Sequence, residues 1–220
     1  MSRAARFWNR FADRYAARPI KDVAAYEALL ADVAARLGTE DRVLEIGCGT
    51  GGTAIRLAGG VAQYVATDFS AEMIRVAKAK PAPPNLRFLL AEAGAFPESG
   101  PFNAILAFNV LHLVDDLPGL LDQLRRGMVP GGLLICKTWC FGDLPLRLRL
   151  LFPALRLVGL FPPAQFLRQA ELYQTLQAAG FSIDATRVFG ARAENPYVVA
   201  KPTEAPRDAV SFPNSESRHA

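Results

Sequence analysis

Val43-Leu44-Glu45-Ile46-Gly47-Cys48-Gly49-Thr50-Gly51-Gly52 is the stretch that decides the fold of this chain. An apolar strand pattern runs directly into a glycine-rich turn, and residues 53–58 then read as helix. Strand, tight turn and helix in that order form a cofactor loop at the carboxyl end of a parallel sheet. Gly47, Gly49 and Gly51 take the β-carbons off one side of the turn, so the backbone curls tightly and a ligand can approach its peptide groups. Read through Gly52, the run also fits the G-x-G-x-x-G of a dinucleotide site. Glu45 shifts the balance. A carboxylate two residues before the first glycine faces the ligand and favours a cationic group over a pyrophosphate.

Working outward, Gln63-Tyr64-Val65-Ala66-Thr67-Asp68 reads as a second strand ending in an acid. That acid stands about 20 residues after the loop, where a ribose-binding carboxylate is expected. Leu86-Arg87-Phe88-Leu89-Leu90 is a third β run, ending at Ala91-Glu92-Ala93. Ala104-Ile105-Leu106-Ala107-Phe108 is a fourth, running into Asn109-Val110-Leu111-His112-Leu113. Met128-Val129-Pro130-Gly131-Gly132 announces a fifth, Leu133-Leu134-Ile135-Cys136-Lys137, and residues 181–188 and 197–201 supply a sixth and a seventh. The alternation of strands and helices predicts a parallel sheet covered on both faces. With 220 residues, 51% of them apolar, the chain suits one core.

The loop with its upstream acid resembles the (D/E)-x-G-x-G-x-G motif of the class I S-adenosylmethionine-dependent methyltransferases. Asp68-Phe69-Ser70-Ala71-Glu72-Met73-Ile74 is similar to that family's D-x-S-x-x-M-(L/I), and the Pro-Gly-Gly before the fifth strand to its L-K-P-G-G. The resemblance spans roughly residues 7–202. It implies a Rossmann-like, doubly wound α/β fold whose seven-stranded sheet is mostly parallel with a reversed last strand and helices on both faces. It also implies S-adenosylmethionine as cofactor. Asp68 would anchor the ribose, and the backbone of Gly47, Cys48 and Gly49, with Glu45, the amino-acid end. Phe69, Met73, Glu92 and Ala93 would enclose adenine, although the family usually has Gly-Asp-Ala where this chain has Ala91-Glu92-Ala93. Tyr15 resembles the tyrosine with which relatives close over the cofactor, and Asn109 would lie near the reacting methyl. His112 is the candidate general base, weighed against the ordinary reading of a histidine packed in an apolar run.

Composition narrows the classes further. Three cysteines, Cys48, Cys136 and Cys140, are an odd number and point to a reducing compartment, here the cytoplasm. His112 and His219 are the only histidines, so no zinc spacing arises and no metal is expected. No serine stands in a G-x-S-x-G turn. A net charge of +4 is modest and dispersed, no nucleic-acid module appears, and the Asn-Pro-Pro-Tyr pattern of base methylation is missing after Asn109, so nucleic acid is not an expected partner. No uninterrupted apolar run reaches membrane length, and residues 1–20 carry five arginines without the apolar core of a secretory signal. An arginine-rich start also suits a transit peptide. The preferred reading is a working helix with Phe7, Phe11 and Tyr15 on one face beside Trp8.

Residues 1–202 are expected to form the catalytic domain, with 1–35 as an N-terminal helical cap, 143–170 as an acceptor lid, and 203–220, polar and proline-bearing, as a disordered tail. Between Asp143 and Glu171 stand four arginines and no acid, interleaved with Leu, Phe and Pro. Such a lid suits a lipophilic or amphiphilic acceptor and at most peripheral membrane contact. The expected activity is methyl transfer to an O, N or C nucleophile of a small molecule. Two alternatives stand beside it. An NAD-dependent oxidoreductase would share the loop and Asp68 but has no use for Glu45 and lacks a Tyr-x-x-x-Lys pair. A cofactor-binding protein without catalysis would share the whole cofactor half. Nothing in the sequence specifies an oligomeric state.

Overall fold

The computed structural model describes residues 3–95, 100–157 and 159–203, so the expected tail of residues 203–220 lies outside the described residues from 204 onward, His219 included. Seven strands, β1 (Arg42–Ile46), β2 (Gln63–Asp68), β3 (Leu86–Leu90), β4 (Phe102–Phe108), β5 (Met128–Lys137), β6 (Phe181–Arg187) and β7 (Tyr197–Pro202), make one sheet in the order β3-β2-β1-β4-β5-β7-β6. The pairs from β3 to β5 are parallel. β7 is reversed, pairing antiparallel with both β5 and β6. This is the expected doubly wound α/β sheet. The strand order reverses between β1 and β4, opening a crevice at their carboxyl ends.

Helices α1 (Arg3–Ala16), α2 (Val23–Ala34), α3 (Gly52–Leu57), α4 (Ala71–Lys78), α5 (Leu117–Arg126), α6 (Leu146–Leu157) and α7 (Gln169–Ala178) surround the sheet. Because side chains alternate along a strand, each central strand feeds two cores. Leu44, Ile46, Val65, Ile105 and Leu134 pack with Leu120, Leu121 and Leu124 of α5 and Leu172 and Leu176 of α7. Val43, Ala66, Leu106 and Ile135 pack on the other face with Leu29, Leu30 and Val33 of α2 and Ala54 and Ile74 of α3 and α4. Burial on both faces explains the near-continuous apolar runs. Asp32 of α2 clamps the antiparallel edge, accepting from Tyr197 Oη at 2.7 Å and pairing with Arg36 and Arg187.

Two local expectations are refined. β5 begins at Met128, not after the Pro-Gly-Gly: the register slips between Phe102 and Ala104, and the irregular stretch turns through Gly131 at φ +75°. In α1 the fully buried residues are Ala5 and Ala12, while Phe7 and Phe11 stack half-buried at 4.6 Å and Tyr15 is 46% exposed. The reason is close helix approach. α1 lies against α4, and Asn9 Oδ1 accepts from Ser70 Oγ at 2.7 Å while that same hydroxyl caps α4 by accepting from Met73 N. Small residues permit this contact; a row of aromatics would hold the helices apart.

Candidate cofactor and acceptor site

The loop after β1 runs through Gly47, Gly49 and Gly51, all at positive φ. A β-carbon would lie 2.6 Å from Val110 at Gly47 and 2.6 Å from Phe88 at Gly51, so these two glycines let the loop seat on its neighbours. Gly49 differs. Its outer face is open, with Tyr15 Cε1 the nearest atom at 3.9 Å from such a carbon.

Accounting for the loop's donors separates two chemistries. Cys48 N–H donates to Thr67 O, Gly49 N–H to Asp68 Oδ2 and Gly51 N–H to Cys48 O, at 2.9, 2.9 and 3.0 Å. With those three N–H groups used inside the protein and two carboxylates beside them, the loop suits a cation better than a pyrophosphate. Asp68 also accepts from Ser70 N–H at 2.8 Å. Burial raises its carboxyl above its ordinary value, the two backbone donors oppose that, and Glu92 adds to it. Each oxygen keeps a lone pair for a further donor.

Glu45 is 2% exposed and accepts from Tyr64 Oη at 2.8 Å. Burial pushes its carboxyl up to about 8, against the opposing Tyr64 hydrogen bond and with a smaller push from Asp68. No cation pairs with it among the described residues. It opens on a cavity of about 520 Å³ shared with Tyr15, Gly47, Cys48, Gly49 and Asn109. Asn109, the only non-glycine at positive φ among the described residues, accepts from Asn195 Nδ2 at 3.3 Å. A second cavity, of about 510 Å³, is lined by Phe69, Glu92 and Ala93 with apolar Val110 and Leu113. Asp68 joins the two, bonded to Gly49 of the first and preceding Phe69 of the second. Met73, 2% exposed, lines neither cavity.

His112 sits in a short 3-10 turn (Leu111–Leu113), 5% exposed, with its ring perpendicular to Phe141 at 5.3 Å and no hydrogen-bond partner at Nδ1 among the described residues. Burial lowers its pKa to about 4, so the imidazole is neutral at physiological pH. Around it, Phe141, Leu144 and Ala164 pack with Trp139, Phe152 and Phe161 beneath α6. Sequence reasoning missed Lys137, which lines the Glu45 cavity, whose amine donates to Phe189 O at 3.4 Å and whose pKa is lowered by burial. Its one sequence signal is its place as the last residue of a strand at the ligand edge. Arg18 in the first cavity and Gln123 in the second carry no such signal. The thiols are not nucleophiles: burial pushes Cys136 and Cys140 up to about 12 and Cys48 well above its ordinary value.

A family described as methyltransferase domain matches residues 9–186, which include every strand from β1 to β5 and the whole of both cavities' loops. The chain belongs to that methyltransferase family. It is 35% identical over 116 residues, 52% of this chain and 57% of the other, to an uncharacterized methyltransferase of Mycobacterium tuberculosis (strain ATCC 25618 / H37Rv). It is 34% identical over 107 residues, 47% of this chain and 42% of the other, to a trans-aconitate 2-methyltransferase of Azoarcus sp. (strain BH72). The chain thus spans about half the length of the curated relatives it matches. In fold it is similar to the solved DhpI–SAH complex, with a TM-score of 0.71, 22% identity, and coverage of 90% of this chain and 95% of that one. Among the described residues, no helix is long and apolar enough to cross a membrane.

Proposed function

We propose that this methyltransferase-family chain binds S-adenosylmethionine across the β1/β4 crevice and methylates a small lipophilic acceptor held under α6. The observation that carries the reading is Glu45: a buried carboxylate without a cationic partner among the described residues, opening on a cavity beside a loop whose Cys48, Gly49 and Gly51 N–H groups are already used. That site suits an ammonium and not a pyrophosphate, which argues against the dinucleotide alternative. When bound, the cofactor supplies a methyl group already activated on a sulfonium.

The chain's own residues hold and align. Glu45 would pair with the ammonium of the amino-acid end, and Lys137 or Arg18 with its carboxylate, since both cations line the same cavity. Asp68, fixed by its two backbone donors, would accept from the ribose hydroxyls. Phe69 and Ala93 would wall the adenine, Glu92 would take its amino group, and Met73 would back them from the core. Tyr15, over the open face of Gly49, would close the site from α1, with Asn109 beside the transferring methyl. The aromatic cluster at Phe141 would exclude water and present the acceptor in line, where such a reaction gains most. A histidine at about 4 takes up little proton at neutral pH. His112 Nδ1 would therefore act first as a hydrogen-bond acceptor that aims the acceptor's O–H or N–H.

Incubation with methyl-labelled S-adenosylmethionine and solvent-extracted cell lipids, followed by identification of the labelled product, tests the activity. Calorimetry should show S-adenosylhomocysteine binding at least about tenfold more tightly than NAD, a difference of ~1.4 kcal/mol. Equal or tighter NAD binding overturns the reading, and cofactor binding without any labelled product leaves the non-catalytic alternative in its place.

A further inference from the structure

Helix α6 is apolar on two opposite faces. At 3.6 residues per turn, Leu148, Phe152 and Leu155 point one way, and they are the partly buried apolar residues of the helix, Leu148 and Phe152 packing on the Phe141 cluster. Leu146, Leu150, Pro153 and Leu157, at i, i+4, i+7 and i+11, form the opposite ridge, with the three leucines 65%, 69% and 88% exposed. Between the faces run two seams, one holding Arg147 and the other Arg149 and Arg156. No acid occurs from residue 144 to residue 168. A cavity of about 490 Å³ lies between the end of that ridge and α1, with Pro153 and Leu157 on one side, Phe7 and Phe11 on the other, and Arg6 and Arg10 joining Arg156 around it.

A solvated helix has one apolar face; a ridge of leucines opposite that face, edged on both sides by guanidinium groups, is the pattern of a helix lying in a lipid–water boundary. The guanidinium groups select the sign of the surface. We propose that α6 seats the protein on an anionic phospholipid surface, with Leu146, Leu150 and Leu157 in the acyl boundary and Arg147, Arg149 and Arg156 on the headgroup phosphates. This deepens the proposed function and rests on it for one point alone, the acceptor, which would pass from the bilayer along α6 to the aromatic cluster on its inner face.

Sedimentation with vesicles tests it independently of catalysis. Wild-type protein should partition at least about tenfold more strongly onto phosphatidylcholine vesicles containing phosphatidylglycerol than onto phosphatidylcholine alone, since each arginine at such a surface is worth a factor of about five. Raised salt should weaken that preference. Leu150→Glu with Leu157→Glu, and separately Arg147→Gln with Arg149→Gln, should each lower partitioning by about tenfold or more, while S-adenosylhomocysteine affinity stays within about twofold. Retained cofactor affinity shows that the variants fold; if a variant does not fold, the comparison of the two vesicles with wild-type protein still decides. Absence of vesicle binding, or equal binding to neutral and anionic vesicles, overturns the proposal. So does a wild-type dimer in sedimentation velocity that the leucine variant dissociates without any vesicle binding, because the ridge would then face a second copy. Anionic-vesicle binding by a protein that fails to bind S-adenosylhomocysteine overturns the functional reading and leaves the membrane surface standing.

Discussion

At the scale of the residue, the proposed function gives Asp68 the ribose and Glu45 the ammonium of a ligand that is neutral at one end and zwitterionic at the other. Asp68 is held by Gly49 and Ser70 N–H groups, so it enters binding already oriented. Loss of hydrogen bonds to a charged group costs about 1.5–3 kcal/mol. Asp68→Ala should accordingly weaken S-adenosylhomocysteine binding by at least about tenfold in calorimetry, and unchanged affinity in a folded variant would place the ribose elsewhere. Glu45 predicts a pH dependence. Its carboxyl, raised to about 8 by burial, is protonated at neutral pH before an ammonium arrives and ionised after it pairs. Binding should therefore release close to one proton at pH 7, and affinity should rise toward pH 8, by up to about tenfold per pH unit. Calorimetry in two buffers of different ionisation enthalpy reads the proton count directly, and Glu45→Gln should abolish both the release and the slope.

At the scale of the element, α6 and the loop after β1 have opposite duties. The loop is fixed by packing, with Val110 and Phe88 occupying the space that β-carbons at Gly47 and Gly51 would need. α6 has no fully buried residue, and its inner face touches the site chiefly through Phe152, 5.4 Å from Phe141 and 4.4 Å from Phe161. Replacing residues 146–157 by a short glycine-serine linker should spare S-adenosylhomocysteine binding to within a few-fold, because Arg156 is the one residue of the helix that lines the second cavity. Methyl transfer should fall by about 10²-fold or more once the acceptor loses its apolar wall and water enters. Normal turnover in the folded deletion would make α6 a surface for docking alone.

At the scale of the whole molecule, the proposed pairing of Glu45 with an ammonium would couple binding to stability. Between about pH 5 and pH 8 the folded, ligand-free protein holds a proton there that the unfolded chain has released, so this group's contribution to stability falls as pH rises across that window. A complex with Glu45 ion-paired would escape the fall. S-adenosylhomocysteine at a hundred times its dissociation constant should stabilise the protein by about 2.7 kcal/mol, or roughly 5–11 °C in melting temperature for a chain of this size. At a fixed concentration that shift should be larger at pH 8 than at pH 6 in differential scanning calorimetry. An equal shift at both pH values would separate Glu45 from the ligand.

The doubly wound order was legible because the loop after β1 carries its own requirements: a strand, an acid, glycines at positions needing positive φ and a helix follow one another within a few residues, and local chemistry suffices to read them. Asp68 and Asn109 were legible for a related reason, standing at strand ends that this topology carries to one edge. Other features depended on residues distant in sequence. That Lys137 joins Glu45 follows from β5 lying beside β4 and β4 beside β1; that α1 docks through Ala5 and Ala12 and not its aromatics follows from how close α4 comes; that His112 is neutral follows from the apolar side chains gathered around it from the segment after β5, from α6 and from the segment after α6. Sequence by itself determined which residues carry charge and where the chain turns. Only tertiary packing decided which of those charges share a cavity, because burial and proximity set a carboxylate at about 8 and an imidazole at about 4, and neither is a property of a residue alone.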